Sequence, residues 1–203
     1  AVRGGCDSSL AGPGFHAAAV DFIEELEDRS GLWAEILDEG GYVEEQDFEA
    51  LQDCFYGWLW QLLELLELHK NDPVSLHICW SAEGYSPCEV PGTVITPMGR
   101  YYVDFLLDWV KSEGIVPFAR EFFLWHDRQQ DGRFYRNNAL NLMWEECCFM
   151  FSRRSGEDAR VNGAILDLLE RAAACDPALP FPKQDYLLLC RLDGRQPVPL
   201  EHL

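Results

Sequence analysis

Between residues 48 and 66, apolar side chains recur at steps of three and four: Phe48, Leu51, Phe55, Trp58, Leu62 and Leu65, widened by Leu59 and Leu66. That spacing is the period of an α-helix with one broad buried face, and it commits the chain to a core organised around a long central helix. Trp60 and Leu63 fall off the stripe, near Asp53, Glu64 and Glu67. Trp60 is therefore a candidate aromatic anchor on a partner surface, although a helix buried on more than one side would account for both residues.

The same period marks other segments. Phe15, Ala18, Phe22, Ile23 and Leu26 share one side of a helix over 15–31 that Ser30-Gly31 ends, and a short second helix over 32–41 is expected before paired glycines. Thr96-Pro97 has the chemistry of a helix start, and Tyr102, Phe105, Leu106, Trp109 and Val110 then line one face up to Gly114. Further helices are expected over 117–125 and from about 138. Ser155 with Asp158 makes a capping box for a last long helix lined by Val161, Ile165, Leu168, Leu169 and Ala172. The period changes in Val74, Leu76, Ile78 and Trp80, which alternate with polar residues as in a half-buried strand. Residues 92–96 return beside it as a hairpin, and 185–192 read as a final strand. Strands and helices do not alternate as a doubly wound sheet requires. The expected fold is helix-dominated α+β, with six or seven helices and a small two- to three-stranded antiparallel sheet. Residues 1–203 form one compact domain, with 1–14 and 194–203 as flexible ends.

Charge is distributed unevenly. The chain carries a net −19, of which −17 belongs to residues 1–110, where Arg3, Arg29, Lys70 and Arg100 are the only bases besides histidine. Such a surface repels phosphate and speaks against direct nucleic-acid or anionic-lipid binding by that half. No apolar run reaches the roughly 18 residues a membrane-spanning helix needs. The expected partner is a basic protein, met by Glu24, Glu25, Glu44, Glu45, Asp47, Glu49 and Trp60. If the acids instead form one continuous band, the chain could act as a nucleic-acid mimic that inhibits a DNA- or RNA-binding enzyme. Association of the chain with itself stays open.

Eight cysteines, of which Cys79, Cys190 and the adjacent Cys147 and Cys148 sit in apolar contexts, read as free thiols of a reducing cytoplasm. No export signal opens the sequence given.

Chemistry-bearing patterns are sparse. His77 and Cys79 share a strand face, which raises a thiol-dependent hydrolase or transferase as the enzymatic alternative, but Cys88 completes no zinc spacing. Asp127, Gln129, Asp131, Arg133 and Asn138 fall on the positions of a calcium-binding EF-hand loop. Gln129 and Asn138 replace ligand residues there, and Arg133 adds the wrong charge, so a helix–helix turn at Asp131-Gly132 is the better reading. The arginines of this stretch, Arg128, Arg133 and Arg136, read as internal charge balance. No cofactor or metal is expected, and the leading reading is a non-enzymatic interaction or regulatory protein.

Overall fold

The computed structural model describes residues 4–31, 33, 35–78 and 88–199. Among them are eight helices and a three-stranded sheet, the helix-dominated α+β architecture that the periodicity implies. None of these helices is long and apolar enough to cross a membrane.

Helix α1 (Pro13–Ser30) starts with proline in its first turn and stops at Gly31, whose left-handed backbone lets its N–H bond Glu27 O. Its inner face is built of small residues, with Gly14, Ala17 and Val20 buried. Phe22 and Leu26, expected on the core side, are 64% and 51% exposed. The large side chains misled the pattern, because the core takes the face that allows close approach. No helix forms at 33 or 35–38, and a single turn, α2 (Tyr42–Glu45), follows instead.

Helix α3 (Phe48–His69) is capped by Asp47, whose carboxylate accepts from Glu49 N at 3.0 Å and Ala50 N at 3.1 Å. It buries Leu51, Phe55, Leu59, Leu63 and Leu66. The buried stripe is thus turned toward Leu63, which sequence spacing had set aside, while Leu65 is exposed.

The sheet is mixed rather than antiparallel. Strand β1 (Leu76–His77) pairs parallel to β2 (Thr93–Thr96), with Leu76 beside Val94 and His77 beside Ile95. The hairpin lies one connection later, where β2 turns into β3 (Gly99–Tyr102). Thr96-Pro97 begins that turn and no helix: Thr96 Oγ1 donates to Gly99 O at 2.9 Å and accepts from Met98 N at 3.1 Å. Gly99, at φ 112°, closes it. Helix α4 (Val103–Glu113) then buries Val103, Leu106, Leu107 and Val110, so Tyr102 and Phe105 face outward.

Helix α5 (Ile115–Phe122) completes a first core with α1, α3 and α4, in which Phe55 meets Phe123 edge-on at 5.5 Å and Trp58 rests on Phe122 and Phe123. A second core is formed by α6 (Gly132–Glu145), α7 (Gly156–Cys175) and α8 (Lys183–Asp193). Ser155 caps α7 in the expected box, accepting from Asp158 N at 3.0 Å. Helix α8 occupies the segment expected as a strand. Its buried residues, Tyr186, Leu189 and Cys190, are spaced three and four apart. The uninterrupted Leu187-Leu188-Leu189 run hides that period from the sequence.

The two cores meet at a buried polar joint. Arg136, nearly inaccessible, binds Glu121 on α5 and Asn137 Oδ1. Asn137 Nδ2 in turn donates to Phe123 O at 2.8 Å and Arg120 O at 3.2 Å, carbonyls that the end of α5 leaves open. A lone buried charge is costly, so this pairing is what allows Arg136 to sit at the joint.

Candidate partner surface and polar centres

The acidic residues singled out by charge gather where α1, α2 and α3 meet. Gln46 Nε2 donates to Glu24 Oε1 at 3.1 Å and clips α1 to the α2–α3 junction. Glu44 and Glu45 lie in the first turn of α2, Glu49 lies in that of α3, and all three are exposed. Asp47 is exposed too, but its carboxylate is engaged as the α3 cap. The basic residues seen against this side, among the described residues, are Arg29 on Glu25, Arg128 on Asp21 and His16 on Asp38. Trp60 is 47% exposed, but it stands thirteen residues beyond Asp47, about 20 Å along the helix, beside Glu64 and Leu68. The structure therefore does not bring Trp60 to the acidic junction. The apolar residues that accompany the acids are Phe22 and Leu26 on α1, interleaved with Glu25 and Arg29, and Trp33 and Leu37 beyond it, 82% and 91% exposed. Sequence spacing missed them because it assigned α1's large residues to the core.

His77 is an exposed residue of β1, with Nε2 3.8 Å from Glu89 Oε1. Cys79 lies outside the described residues. The described concavities are elsewhere. One is an open trough of about 510 Å³ on the outer side of α4, lined by Phe105, Asp108, Trp109 and Ser112. The other is a cavity of about 180 Å³ lined by Asp7, Ala11, Phe15, Leu124, Trp125, Phe134 and Asn138.

The arginine-bearing stretch from 124 to 138 works as a hub. Trp125 N donates to Ala11 O at 2.8 Å and Trp125 O accepts from Gly14 N at 3.0 Å. Arg128 reaches Asp21 on α1, and Arg133 and Arg136 share Glu121. Asp131 caps α6 by accepting from Phe134 N, and Asn138 Nδ2 donates to Leu124 O and Phe134 O. Two positions of the EF-hand pattern are thus committed to helix and loop structure.

Two histidine-centred relays, neither visible in the sequence, accompany the hub, the first of them built partly from its own residues. In the first, His126 Nε2 lies 2.9 Å from Tyr56 Oη and Nδ1 lies 3.2 Å from Asp127 Oδ1, off the ring N–H axis. The His126 contact, with Arg120 and Arg133 nearby, holds the Asp127 carboxyl below the usual range against the effect of burial. Burial raises the Tyr56 phenol, with Arg120 opposing. In the second relay, His16 Nδ1 lies 2.9 Å from Ser8 Oγ and Nε2 lies 3.0 Å from Asp38 Oδ1, again off axis. The Asp38 side chain is 1% exposed. Burial alone would raise its carboxyl. Backbone N–H groups of Val43 and Gly40, at 3.0 and 2.8 Å, together with His16, outweigh that effect and hold it low.

Compared with protein-family models, curated proteins and solved structures, the chain matches none. The fold and surface define a helix-dominated α+β protein with an acidic, apolar-studded face.

Proposed function

We propose that the protein is an interaction or regulatory protein whose acidic N-terminal half docks a basic protein partner. The carrying observation is the α1–α2–α3 junction. Glu24, Glu44, Glu45 and Glu49 converge there without a cation against them among the described residues, and Phe22 and Leu26 are exposed on the adjoining face of α1. An apolar centre with a charged rim is the anatomy of a protein interface, in which the apolar residues supply affinity and the rim supplies steering and selectivity. The seven described cysteines are free thiols, which fits a reducing compartment and supports a cytoplasmic location.

The test is capture of partners from native lysate by tagged protein, washed across a salt series, with the quadruple variant Glu24→Lys, Glu25→Lys, Glu44→Lys and Glu45→Lys as control. The reading expects a basic partner that salt releases and that the folded variant does not bind. Like-charge contact costs several kcal/mol, so affinity falls by more than ~100-fold. Binding that survives the reversals defeats the proposal. Release of the same partner by competing nucleic acid would specify mimicry of a nucleic-acid ligand.

A further inference from the structure

We propose that Ser8, His16 and Asp38 form a hydrolytic centre for short, uncharged acyl esters. This inference is independent of the docking surface. The three residues are eight and twenty-two positions apart in sequence and come together through the turn over 38–41 and the first turn of α1. With the imidazole proton on Nε2, which lies 3.0 Å from Asp38 Oδ1 but off the N–H axis, the Nδ1 lone pair accepts from the Ser8 hydroxyl at 2.9 Å. This is the nucleophile–base–orienter order that acyl transfer requires, with the two ring nitrogens exchanged relative to the usual arrangement. Either nitrogen can take the proton. Asp38 is fixed independently of the histidine by two backbone N–H bonds, so its position does not depend on the state of the ring.

Ser8 is half-buried, whereas Asp38 is shut away from solvent. The 180 Å³ cavity is lined by Asp7 and Phe15, the residues that precede Ser8 and His16, and by Ala11. An apolar cavity of roughly 150 Å³ admits a benzene-sized molecule, so this one suits an acyl chain of about six carbons or fewer. Its wall includes Trp125, whose indole Nε1 is buried without an acceptor. That N–H is a donor of the kind a developing oxyanion needs. The negative field of residues 1–110 disfavours carboxylate-bearing substrates.

In the first step, Ser8 Oγ bonds to the ester carbonyl carbon while its proton passes to His16 Nδ1. The carbonyl–alkoxy bond then breaks, and His16 returns the proton to the departing alcohol. In the second step water attacks the acyl-serine, His16 accepts the water proton, the acyl–Oγ bond breaks, and Ser8 recovers its proton. The net reaction is ester plus water to acid plus alcohol, with no other reactant.

The experiment treats the folded full chain with diisopropyl fluorophosphate at mildly alkaline pH and locates adducts by peptide mass mapping. Ser9, whose hydroxyl bonds Asp7, is the internal control. The expected result is one adduct, at Ser8, formed at least ~100-fold more slowly in His16→Gln, the scale of a lost general base. Hydrolysis of p-nitrophenyl butyrate should exceed that of the octanoate and be abolished in Ser8→Ala. Absence of Ser8 labelling in protein whose circular dichroism is helical overturns the proposal without recourse to any variant. So does equal labelling of Ser8 and Ser9, or undiminished butyrate hydrolysis by a folded Ser8→Ala protein.

Discussion

Replacing Asn137 with alanine should cost more than any loss of packing would suggest, because its amide is shared by both cores. The side chain is 1% exposed. It donates to Phe123 O and Arg120 O and accepts from Arg136 Nε at 3.1 Å. Alanine removes all of these at once. A buried polar group left without a partner costs about 1–3 kcal/mol, and the Phe123 carbonyl and the Arg136 guanidinium both lie in buried surroundings. The expected loss is roughly 3–5 kcal/mol, a fall in melting temperature of roughly 6–20 °C for a chain of this size. The neighbouring Asn138→Ala is the comparison. Asn138 also donates to two carbonyls, at 3.3 and 2.8 Å, but is only half-buried, so water can replace it and the loss should stay near 1 kcal/mol. Urea unfolding followed by tryptophan fluorescence and by circular dichroism measures both. If Asn137→Ala costs under about 1 kcal/mol, or no more than Asn138→Ala, the reasoning that the joint depends on this amide is wrong.

Gly14→Ala should destabilise, the reverse of the roughly 1 kcal/mol gain usual inside a helix, because the new Cβ would lie 2.6 Å from Trp125 Nε1; a raised melting temperature would contradict this. The Cys147 thiol, pushed up to about 11 chiefly by burial, should remain protonated near neutrality and react with iodoacetamide more slowly than exposed Cys6, Cys54, Cys88 and Cys175; equal rates by mass mapping would refute it. Asp158 is held far below the ordinary carboxylate range, first by Ser152 and Ser155. A depressed folded pKa stabilises above the unfolded value, near 3.8, and that contribution fades as pH falls through the folded one. Asp158→Asn should therefore melt below wild type at neutral pH, with the gap closing in strong acid; a gap independent of pH would count against the assignment.

Some of this architecture was legible because single residues carry unambiguous chemistry. The Ser155–Asp158 box and the helical period of α3 needed no tertiary information, although the side of α3 that is buried did. Other segments were ambiguous by nature. Thr96-Pro97 can open a helix or a tight turn, and Gly99 decides for the turn. Some large residues advertised a face that the fold leaves outside: Phe22 and Leu26 in α1, where packing selected Ala17 and Val20, and Phe105 in α4, where Leu106 and Val110 are buried as expected together with Val103 and Leu107. The acidic residues of the junction were legible from charge alone, whereas the apolar side chains beside them were not. Nor could any spacing rule relate Ser8 to Asp38 or Tyr56 to His126, since these pairs join segments that only the tertiary fold brings together.

The two bonds that tie Trp125 to Ala11 and Gly14 also bear on the order of assembly. They span more than a hundred residues, and the first core contains Phe118, Phe122 and Phe123 besides. A ribosome that has delivered α1 to α3 has therefore delivered a subdomain without its lid. Phe55 and Trp58 must wait for the chain to reach the hub before their rings are covered, and over that interval the nascent protein presents aromatic surface to whatever is nearby. The strong negative charge of residues 1–110, read above as a means of recognition, would in that interval keep unfinished copies apart.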